Sequence, residues 1–167
     1  MKLQGSYLLP AKPQEVWNLL TDPERLAKCL PGCERLEPQG NNRYSAVLKL
    51  GLAAISGSYR GSVELTDLDP PNSYRMKVEG KGAAGFMRGE GRIELREKRG
   101  KAELRYDGEA QVGGMIAAVG QRMMEAAARR ILQQFFESAA ELLNPSKTVG
   151  RNPSAKLRTG AGPTGQV

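Results

Sequence analysis

Residues 79–95 read EGKGAAGFMRGEGRIEL, and how this stretch is parsed decides the fold. Gly80, Gly82 and Gly85 have the spacing G-x-G-x-x-G, and Asp107 lies downstream where a ribose-binding carboxylate would be sought. That pattern cradles a dinucleotide pyrophosphate only where a strand runs into the N-terminus of a helix. The strand is present, as SYRMKVEG (73–80) alternates apolar and polar residues. The helix is not, because FMRGEGRIELRE (86–97) resumes the two-residue alternation and has no helical stripe. There is no βαβ unit, and Asp107 falls on the outward face of a later strand. The dinucleotide reading fails.

Outward from this point, the chain from Cys33 to Val112 is a series of alternating segments broken by turn signals: QGNN, Ala54–Gly57, DPPNS, the glycine stretch and EKRGK. One face carries Tyr44, Ala46, Leu48 and Leu50, then Tyr59, Gly61, Val63 and Leu65, then Tyr74, Met76 and Val78. Gly91, Ile93 and Leu95 follow, then Leu104, Tyr106, Gly108, Ala110 and Val112. No Asp, Glu, Lys or Arg belongs to this set. The pattern predicts an antiparallel meander with one dry and one wet face. Glycine inside strands lets a sheet bend sharply or lets another group approach closely. Two uses stand open here: a curved sheet whose glycine spaces are filled by a helix, or a cavity for a ligand. Phe86 and Met87 are expected at the hairpin as a flexible apolar flap.

The flanks supply the cover. Residues 2–9 read as a strand, and Pro13 opens a short helix, PQEVWNLL. Asp22 reads as the N-cap of a second, DPERLAKCL, which Pro31-Gly32 ends. From Gly114 to Leu143, Ile116, Val119, Met123, Ala127, Ile131, Phe135, Ala139 and Leu142 recur every three or four residues. This predicts one long amphipathic helix. A one-sided sheet and a one-sided helix bury each other. The expected architecture is α+β: a curved antiparallel sheet of six to seven strands wrapped around a long C-terminal helix, with two short helices after the first strand.

Composition narrows the chemistry. The chain of 167 residues has no histidine, which excludes Ser-His-Asp and Cys-His machinery. Cys29 and Cys33 alone cannot complete a tetrahedral zinc site. A disulfide between them is conceivable, but the polar, proline-interrupted N-terminus does not read as an export signal, so a cytoplasmic protein with free thiols is expected. No run approaches the roughly 18 apolar residues of a membrane span. The net charge of +7 is concentrated in residues 145–167, where Lys147, Arg151, Lys156 and Arg158 face no acid. We therefore divide the chain into a domain over 1–144 and a basic, Pro/Gly-rich tail over 145–167, expected to be disordered. The tail has no aromatic residue to stack on bases, so nucleic acid is not an expected partner.

Several separated segments together resemble a known family. They are PxxVWxLLxDPERLxxCLPGC (Pro13 to Cys33), LTDLDPPxSY (Leu65 to Tyr74), EGKGxAGFxRG (Glu79 to Gly89), DGEAQVGG (Asp107 to Gly114) and the QFF of the last helix (Gln134 to Phe136). The chain is similar over residues 1 to about 143 to the CoxG proteins of molybdenum-type carbon monoxide dehydrogenase, within the helix-grip superfamily of START domains and pollen allergens. The resemblance implies a non-enzymatic accessory protein of a molybdenum hydroxylase that holds a hydrophobic ligand, such as a quinone or lipid, or helps recruit the enzyme to a membrane. No covalent cofactor is implied. Many members end in a hydrophobic segment, whereas this tail is only basic. Four charges worth about 1 kcal/mol each near an anionic surface allow transient contact at the inner face of a membrane.

The candidate cavity lining is Leu48, Leu50, Tyr59, Met76, Val78, Phe86, Met87, Tyr106, Met115, Val119, Met123 and Ala127. Tyrosine hydroxyls offer polar handles, and the methionines offer an adaptable wall. Two alternatives stand beside this reading. One is a cyclase- or dehydratase-like enzyme of the same fold, which needs a proton-transfer group inside, with Arg88 and Glu90 as the nearest charges. The other is a pure protein-interaction adaptor with a filled core.

Overall fold

A computed structural model describes residues 1–52 and 55–144. The expected tail over 145–167 and the Ala54 end of one turn signal lie outside the described residues. The polypeptide opens with β1 (Lys2–Leu9), and Ala11 N–H donates to the Leu9 carbonyl at 2.9 Å as the chain leaves the sheet. Pro13 occupies the first turn of α1 (Pro13–Leu20), where a missing N–H costs nothing, and the Glu15 carboxylate accepts from the Lys12 N–H at 3.3 Å. Asp22 caps α2 (Pro23–Cys29) by accepting from the Glu24 N–H at 3.1 Å. Both helix starts agree with the sequence reading.

The meander follows as β2 (Cys33–Gly40), β3 (Arg43–Leu50), β4 (Gly57–Asp69), β5 (Ser73–Gly82), β6 (Gly85–Lys98) and β7 (Lys101–Gly113). All neighbours are antiparallel, and β1 pairs with β7 to give one seven-stranded sheet in the order β1-β7-β6-β5-β4-β3-β2. At Gly108 an added Cβ would stand 2.6 Å from the Glu90 carbonyl oxygen, and at Gly61 it would strike the Glu79 carbonyl. Neighbouring backbone therefore crowds the inner face at these two points, as a sharply bent sheet requires.

The core gathers at one end. Val16, Leu19 and Leu20 of α1 are buried against Leu9, Leu65, Leu95 and Leu104 of the sheet and Phe136 and Ala139 of the last helix. Full burial of such side chains contributes roughly 1.5–3 kcal/mol each.

Two expectations are corrected. The C-terminal segment is not one helix from Gly114. A 3-10 turn (Met115–Val119) comes first, Gly120 takes φ +97°, and only then does α3 (Gln121–Leu143) begin. Nor do Phe86 and Met87 form a flap. The β5–β6 turn falls between Gly82 and Gly85, so both residues already belong to β6. Ile116 N–H donates to the Ala84 carbonyl at 2.9 Å, tying this hairpin to the 3-10 turn.

Candidate functional site: the inner wall under the last helix

The registers assemble the inner face of the sheet in rows. Tyr44, Val63, Val78, Gly89 and Ala110 lie side by side across β3 to β7. The adjoining row is Leu65, Met76, Gly91, Gly108 and Leu3. The inward positions of β3 to β7 and β1 carry no charge except Glu97, which lies opposite Ala102 at the very end of β6 and is exposed.

This wall changes character along its length. Near α1, Leu65, Tyr74, Leu95 and Leu104 are fully buried. Away from it, Leu48, Leu50, Val63, Met76, Val78, Ile93, Tyr106 and Val112 are half-buried, with Tyr59, Gly89 and Ala110 buried among them. α3 shows the same gradient. Its buried residues, Phe136 and Ala139, are in its last third, and no residue of α3 before Phe136 is buried. A glycine-spaced apolar wall and the first half of α3 are thus both left half-buried, with Met76 and Val78 on the sheet and Met124 and Ala128 on the helix.

On the β1 side an aromatic stack joins the sheet to α3. The Phe136 ring lies 5.0 Å from Tyr7 and 5.7 Å from Tyr106, both nearly parallel to it. At the deep end Trp17 meets Tyr74 edge-on at 5.5 Å. Burial, with Tyr44 adding to it, pushes the Tyr74 phenol well above its ordinary range, and burial also raises Tyr59. Tyr59 donates to the Ile55 carbonyl at 2.8 Å, so its hydroxyl is already committed.

Leu48, Leu50, Met76, Val78 and Tyr106 are placed on the inner face and half-buried, with Tyr59 buried beside them. Met87 shares this face at its rim and is 37% exposed. Phe86, its neighbour, points the other way: its ring covers Gly113 on the outer face, and the Arg88 guanidinium lies 5.7 Å from its centroid. Consecutive strand residues cannot share a face. Met115 is 75% exposed on the 3-10 turn and Met123 is 51% exposed on α3. Val119 and Ala127 are half-buried.

In place of Met123 stand Met124 and Ala128, half-buried and one helical turn apart, with Ile131 and Leu132 beyond. Glu125 is the one half-buried charged residue in this first half of α3. The sequence stripe carries Met124 and Leu132 at its margin, and inward parity identifies Ile93, Val112 and Tyr74.

The sheet's outer face carries a separate open groove of about 1350 Å³ across β5, β6, β7 and β1. Its side chains are of both signs, among them Lys77 and Glu90 at 3.7 Å and Arg92 and Glu94 at 3.1 Å. It is a solvated, charge-paired surface. Among the described residues no His, Cys, Asp or Glu cluster is arranged to hold a metal. Both cysteines are free, and burial raises the Cys29 thiol to about 11, an unreactive range at neutral pH.

Residues 5–144 match the family of the carbon monoxide dehydrogenase subunit CoxG. The chain belongs to the CoxG family. As a CoxG protein it has an accessory role in carbon monoxide dehydrogenase systems in general. A conserved protein from Geobacillus kaustophilus has a solved structure of TM-score 0.85 at 38% identity, covering 87% of this chain and 97% of that one. A protein from Chromobacterium violaceum reaches TM-score 0.67 at 23% identity, covering 86% and 97%. The structure of Ara h 8.0201 gives TM-score 0.66 at 10% identity over 86% and 97%, so this CoxG chain has the helix-grip fold. No curated protein matches the sequence. No helix among the described residues is long and apolar enough to cross a membrane.

Proposed function

We propose that this CoxG protein holds a neutral apolar molecule, quinone-like or lipid-like, in the cleft between its sheet and α3, as the non-enzymatic accessory of a molybdenum hydroxylase of the carbon monoxide dehydrogenase type. The observation that carries this is the uncharged inner wall left half-buried under the first half of α3. Water gains nothing from such a surface, and an apolar guest removes it from water. The inner strands offer tyrosines alone for proton transfer, and burial pushes Tyr59 and Tyr74 away from the neutral range, which favours holding over catalysis. Binding residues in this reading are Val78, Met76 and Leu48 from the sheet and Met124 and Ala128 from α3.

The test is mass spectrometry of an organic extract from protein purified natively from its host. A quinone or prenyl lipid near one per chain is expected, lost in Val78→Trp and retained in Met115→Trp, whose side chain lies outside the cleft. An empty extract from folded protein would instead favour an adaptor whose glycines serve only to bend the sheet.

A further inference from the structure

A buried hydroxyl without a hydrogen-bond partner is a cost that native proteins seldom leave in place. Tyr59 avoids it by bonding Ile55. Tyr74 does not: it is 5% exposed, and among the described residues its hydroxyl neither donates nor accepts a hydrogen bond. The indole N–H of Trp17, 6% exposed and packed edge-on to it at 5.5 Å, is likewise without a partner among them.

The position of this pair matters. Tyr74 is on the inner face of β5, with Ile93 beside it on β6 and Met76 next along the strand, both half-buried. Leu95, further along β6, is buried, and so is Leu65, which pairs with Met76. Tyr74 is therefore a core residue that borders the half-buried Met76 and Ile93 of the proposed cleft. A ligand entering from the far end reaches it last.

We infer that the Tyr74 hydroxyl is the polar anchor of the cleft, donating a hydrogen bond to a neutral acceptor oxygen of the carbonyl class at the leading end of the apolar ligand, with the Trp17 N–H beside it. This rests on the carrier reading above and adds to it the chemistry of the ligand's buried end. A donor role follows from the surroundings, because burial keeps the phenol protonated. Neutrality follows from the wall: no Lys or Arg points inward from these strands to pair with a carboxylate or phosphate. A ketone, quinone or ester fits; a fatty acid anion does not.

The experiment uses the full chain and Tyr74→Phe, with N-phenyl-1-naphthylamine displaced from each by 2-tridecanone or by n-tridecane. Trp17, the single tryptophan of the chain, reports arrival at the deep end by its emission. Tyr74→Phe is expected to weaken the ketone by about five- to twentyfold and to leave the alkane unchanged. It is also expected to melt at or above the wild-type temperature, since it removes an orphan hydroxyl. Equal ketone affinity in both proteins would overturn the inference, and so would a clear loss of melting temperature, which marks a hydroxyl already satisfied by a structural water. If neither compound displaces the dye from wild type, the carrier reading itself fails.

Discussion

Gly108 and Gly80 both lie within long strands, yet they do different things. A methyl at Gly108 meets the Glu90 carbonyl oxygen at 2.6 Å and the Gly91 Cα at 3.0 Å, and backbone cannot step aside cheaply. At Gly80 the nearest atom is the flexible Met87 Cγ at 3.7 Å. Gly108→Ala should therefore destabilise by about 1–3 kcal/mol, and Gly80→Ala should stay within about 0.5 kcal/mol of wild type. Urea unfolding midpoints check both, and equal losses would mean that glycine is needed for room rather than for curvature. The sequence marks these glycines as mechanical because alternation resumes after them. It does not divide them, because crowding depends on how closely the neighbouring strand approaches. Nor does it place Phe86. With glycines and two alanines clustered around one turn, nothing in the side chains fixes the turn at Ala83-Ala84, and one residue of shift exchanges the faces of Phe86 and Met87.

Elements differ in how plainly the chain announces them. The strands and the two short helices are legible because proline, the Asp22 cap and the two-residue period act locally. The last helix is legible in existence but not in phase. Met115–Val119 is a 3-10 turn and Gly120 takes φ +97°, so the helical phase set by Ile116 and Val119 is not carried into α3. Met124, and not Met123, is accordingly the half-buried methionine at the start of α3. The hydrophobic stripe alone does not register a single glycine at φ +97°. The burial gradient along α3 carries its own prediction. Phe136→Ala should cost about 3–5 kcal/mol, because a buried ring in a three-aromatic stack leaves a cavity. Met124→Ala should cost about 1 kcal/mol or less, because its surroundings are already open. If denaturation finds the two equal, α3 is closed along its whole length and there is no cleft.

At the scale of the molecule, one sheet presents two surfaces of opposite kind. The outer one is charge-paired and solvated, as Lys77 with Glu90 and Arg92 with Glu94 illustrate. The inner one is uncharged and only half covered. This division is plainly written in the sequence, since parity keeps every Asp, Glu, Lys and Arg except Glu97, at the end of β6, off the inner face. How far the helix stands off the sheet is not written there, because it depends on the bend at Gly61 and Gly108 and on the break at Gly120. The six methionines sample both surfaces. Met76 and Met124 are half-buried on the two walls of the proposed cleft, Met87, Met115 and Met123 are exposed, and Met1 precedes β1. The decisive measurement is therefore a methyl-carbon NMR titration of methionine-labelled protein with decylubiquinone. The largest shifts are expected at Met76 and Met124, a smaller one at Met87 and none at Met1. Shifts confined to Met1, Met115 and Met123, or no shift at all, would contradict the carrier reading.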